Sequence, residues 1–131
     1  MRMDIGLLIL RLATGGTMLL AHGLGKLTSY SGMAGTFPDP LGLGSSVTLM
    51  IAIFAEVVCS ALIVAGFLTR LATLPLLGTM AAAFFVVHAA DAWNVRELSY
   101  LYGLALLALA FTGPGSLSLD GLMQFKKVSR P

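Results

Sequence analysis

Apolar residues fall into four long blocks, at about 5–27, 45–68, 71–90 and 97–113. A helix needs about 17–25 mostly apolar residues to cross a hydrocarbon core of about 30 Å, and each block meets that length. In lipid, a spanning backbone must satisfy its own hydrogen bonds, so each block is expected to be a helix. A fifth stretch, 116–131, is different. Leu117, Leu119, Leu122, Met123 and Phe125 alternate with polar positions and lead into Lys126, Lys127 and Arg130. That pattern predicts a short amphipathic segment on the membrane surface.

The separators between blocks are turn sequences. Residues 28–44 form the longest connection, and Phe37-Pro38-Asp39-Pro40 at its centre must be non-helical. This loop is the expected lid or partner surface. Thr69-Arg70 makes a tight turn. Asp91 to Glu97 contains Trp93, a residue type that anchors at the membrane interface. Gly113-Pro114-Gly115 ends the fourth block. Pro75 falls near the start of the third, where proline is tolerated, and reads as a start signal. The first block carries Arg11 and lacks a clean small-x-small cleavage site, so it is expected to remain as a helix.

Composition sharpens this picture. Of 131 residues, 57% are hydrophobic and 11% charged, against roughly 25% charged in an ordinary soluble domain. Mean hydropathy is +0.92. So few charges cannot clothe a soluble domain of this length. The fold expected is all-α, a single integral membrane four-helix bundle. Net charge is only +2, and the basic residues form no stripe, which argues against nucleic-acid binding. Cys59 is the sole cysteine, so the chain can form no internal disulfide or dithiol redox pair. Arg2, Arg70, Lys126, Lys127 and Arg130 fall on one side of the bundle, Lys26 and Arg96 on the other. That asymmetry predicts a multi-pass protein of the inner or plasma membrane with both termini cytoplasmic.

Ionisable residues inside spans are costly and are functional candidates by default. Arg11 and His22 are eleven residues apart, close to three helical turns, and Lys26 continues the same stripe. Glu56 lies mid-way along the second block, with Cys59 and Ser60 one turn on. Helices one and two run antiparallel, so an Arg11–Glu56 ion pair is expected to neutralise both charges. It reads either as structural glue or as the charged floor of a ligand pocket. His22 and His88 both lie near the outer ends of their helices. Each fits a hydrogen-bonded neutral imidazole or a donor to a quinone carbonyl. Together they also fit a pair of axial ligands to haem b. Asp91, three residues after His88, is placed to orient its ring. Arg96 and Tyr100 share a face of the fourth helix, with Tyr102 on another. The candidate ligand-binding set is therefore His22, Lys26, His88, Arg96 and Tyr100. No ligand-like spacing points to a metal, and no phosphate loop or nucleophile motif is present.

The stretch Arg11-Leu-Ala-Thr-Gly-Gly-Thr-Met-Leu-Leu-Ala-His22-Gly23-Leu-Gly-Lys26 resembles the first helix of DoxX-family membrane proteins. Ala55-Glu56, then Gly66-Phe-Leu-Thr69-Arg70, and the ending Gly113-Pro114-Gly115-Ser-Leu-Ser118-Leu119-Asp120 extend the resemblance along nearly the whole chain. The motif residues carried over are Arg11, His22, Gly23, Lys26, Glu56, Thr69 and Arg70. The resemblance implies a four-helix integral membrane protein. It also implies a redox setting, since relatives include a subunit of a thiosulfate:quinone oxidoreductase and the membrane part of a complex with superoxide dismutase and a sulfurtransferase. One departure stands out. Many members have glycine after the helix-two glutamate, whereas this chain has Val57-Val58-Cys59-Ser60, which argues against close helix packing there.

Three functions follow as expectations. The first is a redox-linked membrane subunit that binds a quinone or similar lipophilic carrier. The second is a non-catalytic anchor or assembly module for partner proteins, with the 28–44 loop as docking surface. The third, a proton-coupled carrier using Arg11 and Glu56, requires a homo-oligomer, because four helices make a thin pathway. The lipid bilayer is the expected partner in all three, with other membrane or redox proteins in the first two.

Overall fold

The computed structural model describes residues 1–128. Four helices are long and apolar enough to span: α1 (Arg2–Thr28), α2 (Ser45–Ala65), α3 (Thr69–Val87) and α4 (Trp93–Thr112). A fifth helix, α5 (Leu119–Val128), follows. The four spans run alternately up and down. α1 packs on α2, α2 on α3, α3 on α4 and α4 back on α1, closing the ring. Both chain ends therefore share one side, called here the termini side. The long loop lies on the opposite, loop side. Arg130, expected in the basic tail, lies outside the described residues.

Element boundaries differ from expectation for local reasons. α2 stops at Ala65 because Gly66 takes the left-handed conformation, with φ of 71°. Phe67 N–H then bonds Leu62 O and Gly66 N–H bonds Ile63 O, capping the last carbonyls. α3 starts at Thr69 rather than 71, which leaves Pro75 in its second turn. α4 begins at Trp93, four residues early, because Ala92 is extended and the polar Asn94 and Glu97 are exposed at the helix start. The long loop contains one helical turn, Tyr30–Met33, and is tied down by Asp39. That carboxylate accepts from the amides of Leu43 and Gly44 and from the Thr48 hydroxyl, at 3.0, 2.8 and 2.7 Å.

The core holds Met18, Cys59, Ile63, Leu76, Leu106 and Leu109, all essentially inaccessible. Large apolar residues such as Ile9, Leu20, Phe54, Leu74, Phe85 and Phe111 point outward. In water such a surface would drive aggregation, and in lipid it is the required solvent-facing coat. Small residues then let the helices close. Gly15 sits against α2, where an added Cβ would lie 3.0 Å from Ser60 O and 3.2 Å from an Ile63 methyl. The expected loosening at Val57–Ser60 is thus corrected, because the glycine that permits close approach is on α1.

Three stretches are π-helical: Met18–Gly23 in α1, Phe54–Cys59 in α2 and Ala83–Val87 in α3. The Leu24 amide reaches back to Leu19 O, and the His88 amide to Ala83 O, each five residues away. Such turns are wider than α-helical ones, and residues beyond them are rotated off an ideal 3.6-residue count. The α1 and α2 π-helical stretches pack directly against each other.

Candidate functional site

The antiparallel register of α1 and α2 decides which charges can meet. Arg11 lies opposite Ile63 and Val64, and Gly23 lies opposite Glu56. Twelve residues of helix separate Arg11 from Gly23, about 18 Å at about 1.5 Å per residue. The expected Arg11–Glu56 pair therefore does not form. Glu56 instead binds Lys26, with Nζ 2.6 Å from Oε2. Cα–Cβ bonds tilt toward a helix's own N-terminus. Lys26 consequently leans back along α1 while Glu56 leans toward the loop side, and the two side chains converge. Their side chains are 20% and 7% exposed, so the pair is largely withdrawn from solvent. An added Cβ at Gly23 would lie 2.5 Å from Glu56 O, so only glycine permits this approach.

The polar stripe expected along α1 is split by the π-helical turn. Lys26 faces α2, whereas His22 faces α4, its ring meeting Tyr102 edge-on at 5.9 Å between centroids. Tyr102 also lines a groove of about 230 Å³ between α1 and α4, with Ala13, Thr14, Leu98, Leu101 and Ala105. Tyr102, set aside from the candidate set because it falls on another helical face than Tyr100, is thus the aromatic that reaches His22.

The other predicted residues are placed elsewhere on the loop side. His88 Nδ1 lies 2.7 Å from Asp91 Oδ2, the ring-orienting contact anticipated from their spacing. Arg96 stacks over the Phe84 ring at 4.2 Å and donates to Phe84 O at 3.2 Å. Tyr100 packs against Trp93 at 5.4 Å and Phe84 at 6.0 Å. Trp93 and Tyr100 are half-exposed, as interfacial belt residues are. The five predicted residues thus fall into four small groups rather than one cluster: His22, Lys26, His88, and Arg96 with Tyr100. Among the described residues, no hydrogen bond or ring contact joins His22 to His88, and no three His, Cys, Asp or Glu side chains gather as a metal site.

Arg11 belongs to a different assembly on the termini side. It is 1% exposed and donates to the carbonyls of Ile63, Val64 and Leu117. Gly66 leaves room for its guanidinium, since a Cβ there would collide with Arg11 and Ser118. Asp120 completes the junction. Its two carboxylate oxygens accept from the amides of Leu68 and Thr69 at 3.0 and 3.1 Å. This holds Leu68 in an unusual left-handed conformation, φ of 48°, at the start of α3. The motifs around Arg11, Gly66-Phe-Leu-Thr69 and Gly113 to Asp120 are far apart in sequence and form one structural lock. Ser116 N–H adds a bond to Asp4 at 2.8 Å.

The DoxX family profile matches residues 6–89. The chain belongs to the DoxX family. It is 31% identical over 127 residues to the inner membrane protein YqjF of Escherichia coli (strain K12), an alignment covering 94% of this chain and 95% of that one. It is 33% identical over 121 residues to a Haemophilus influenzae protein named only as uncharacterized, covering 84% of each. No solved structure matches. The DoxX match spans Arg11, His22, Lys26, Glu56 and His88 and stops before Arg96 and Tyr100. With four apolar spans, this DoxX chain is a multi-pass membrane protein.

Proposed function

We propose that this DoxX protein is a redox-linked membrane subunit that holds a quinone or similar lipophilic carrier between α1 and α4. The observation that carries the reading is the His22–Tyr102 contact beside an apolar groove. A quinone head needs a flat apolar slot and one or two donors for its carbonyls. Leu98, Leu101 and Ala105 supply slot walls and Tyr102 supplies a hydroxyl donor, while His22, in ring contact with Tyr102 just outside the slot lining, is the candidate second donor. At about 230 Å³ the groove is below the ~300–1,000 Å³ of an enclosed ligand pocket. It suits a ring-sized head whose tail lies along the exposed leucines of α4 in lipid. The Lys26–Glu56 pair, on the α2-facing side of α1, serves in this reading to hold α1 against α2 rather than to line the groove. His88 and Arg96 serve in this reading as interfacial residues rather than ligands.

Membrane orientation is part of the same proposal. Arg2, Arg70, Lys126 and Lys127 lie on the termini side against Lys26 and Arg96 on the other, which favours an inner-membrane protein with cytoplasmic termini. The test of function is direct. Detergent-purified protein is extracted with organic solvent, and its spectrum is taken oxidised and dithionite-reduced. A co-purifying quinone is expected, and His22→Ala or Tyr102→Phe should lower its yield while the protein still melts cooperatively. A reducible Soret band would replace the quinone by haem b. An empty extract with a silent spectrum would refute the carrier reading and leave the assembly module.

A further inference from the structure

A second cavity, of about 890 Å³, lies on the termini side, well away from the α1/α4 groove. It is bounded by the α2–α3 turn, the end of α4 and one face of α5. Arg70, Leu71, Pro114, Asp120 and Lys127 are among its walls. We infer that this cavity binds the headgroup of an anionic phospholipid, with Arg70 and Lys127 as the phosphate-binding cations.

Three observations converge on that ligand. The first is charge. Asp120 is the only acidic wall residue among the described ones, and both its oxygens already serve the Leu68 and Thr69 amides at the start of α3. Its negative charge is further offset by the partial positive charge of that helix end. Arg70 is exposed and makes one hydrogen bond, from Nη2 to Phe111 O at 3.2 Å. A guanidinium carries five N–H donors in a fork that matches phosphate oxygens, so most of the donor capacity of this cavity-lining residue is uncommitted. Lys127 adds a second cation from the opposite wall.

The second observation is depth. The cavity opens where α3 begins and α4 ends, so it sits at the level where acyl chains give way to headgroups. Leu68 and Leu71, both exposed, lie beside the cations and face lipid. A lipid satisfies both halves of this surface, an acyl chain against the leucines and a phosphate at the cations. Inorganic phosphate or a soluble anion satisfies only one.

The third observation is the roof. α5 is amphipathic, with Leu122 and Met123 exposed on its apolar side and Lys126 and Lys127 at its end. Such a helix lies in the interface and favours anionic lipid. The Arg11–Gly66–Asp120 lock anchors its start, so α5 is held over the cavity rather than hanging free.

The test uses full-length protein in nanodiscs of mixed phosphatidylcholine and phosphatidylglycerol, released for native mass spectrometry. Bound phosphatidylglycerol should exceed its share of the bilayer. Lys127→Gln should cut that enrichment about fivefold, the effect of one interfacial cation, and adding Arg70→Gln should remove it. Arg70→Gln also loses its bond to Phe111 O. Lys127→Gln is therefore the cleaner variant, since Lys127 makes no hydrogen bond within the described residues. Enrichment that survives both substitutions, or a wild type that carries the bulk lipid ratio, would overturn the inference. Displacement of the lipid by inorganic phosphate would also overturn it, in favour of a free-anion site.

Discussion

Gly23→Ala tests the helix register on which the Lys26–Glu56 pair depends. The added methyl would lie 2.5 Å from Glu56 O, 2.7 Å from Glu56 C and 2.9 Å from a Val57 methyl. Two of these three atoms are backbone, so no rotamer change relieves the clash, and α1 and α2 must separate. Overpacking of this kind costs about 1–3 kcal/mol. Alanine's better helix propensity returns roughly 0.5–1 kcal/mol. The net expectation is a loss of about 0–2.5 kcal/mol, toward the upper end because the clash is with backbone that cannot give way. Gly16→Ala provides the control, because a Cβ there meets nothing within 4 Å. It receives the propensity gain alone, so it should be neutral or stabilised. The assay is reversible unfolding in mixed micelles by titration with denaturing detergent, read by loss of helical circular dichroism. Gly23→Ala should lower the midpoint, while Gly16→Ala should leave it unchanged or raise it. Coincident midpoints, or a Gly23→Ala variant as stable as wild type, would refute the register and with it the close approach of the two π-helical stretches.

Lys26→Met should strand Glu56 in a largely buried setting and destabilise by on the order of 3 kcal/mol, with Lys26→Met/Glu56→Met recovering most of the loss in the same titration. Arg11→Met should also destabilise, by leaving the carbonyls of Ile63, Val64 and Leu117 without their donor, and it should expose the segment after Gly113 to protease. Because Arg11 and Glu56 do not touch, the effects of Arg11→Met and Glu56→Gln should add to within about 0.5 kcal/mol; a larger coupling in the double-mutant cycle would restore the direct pair. Asp39 offers a pH prediction. Its hydrogen bonds from the Thr48 hydroxyl, then the Gly44 amide, hold its carboxyl below the usual carboxylate range. A depressed folded-state value means the loop's support is complete above the unfolded value, ~4, and is lost as pH falls through the folded one. Protection of the Leu43 and Gly44 amides, measured as exchange relative to the intrinsic rate at each pH, should therefore hold at neutral pH and fall only in strong acid, and Asp39→Asn should show the lowered protection at neutral pH.

Much of this molecule was readable before any coordinates. Block length and hydropathy are local properties, and in lipid they dictate helices outright, so four spans and an amphipathic end follow from counting. The His88–Asp91 contact was readable for the same reason, since three residues on a single chain segment fix the geometry. The motif residues flagged by the family resemblance were also informative, but their pairing was not. Arg11, Gly66 and Asp120 are 55 and 54 residues apart in turn, and nothing in their spacing says that they share one junction.

By itself, then, the sequence determined the solvent, the number of spans and which charges would be costly. Tertiary structure decided how those costs are met. The registers of α1 against α2 and of α5 against the α2–α3 turn place a lysine, not an arginine, opposite Glu56. They also send Arg11 to backbone carbonyls on the termini side. The physical reason is that hydropathy constrains a span only to about a turn in depth, whereas an ion pair needs a match within a few ångströms. That match was made by glycines at helix contacts and by π-helical turns, whose effects depend on what packs across from them.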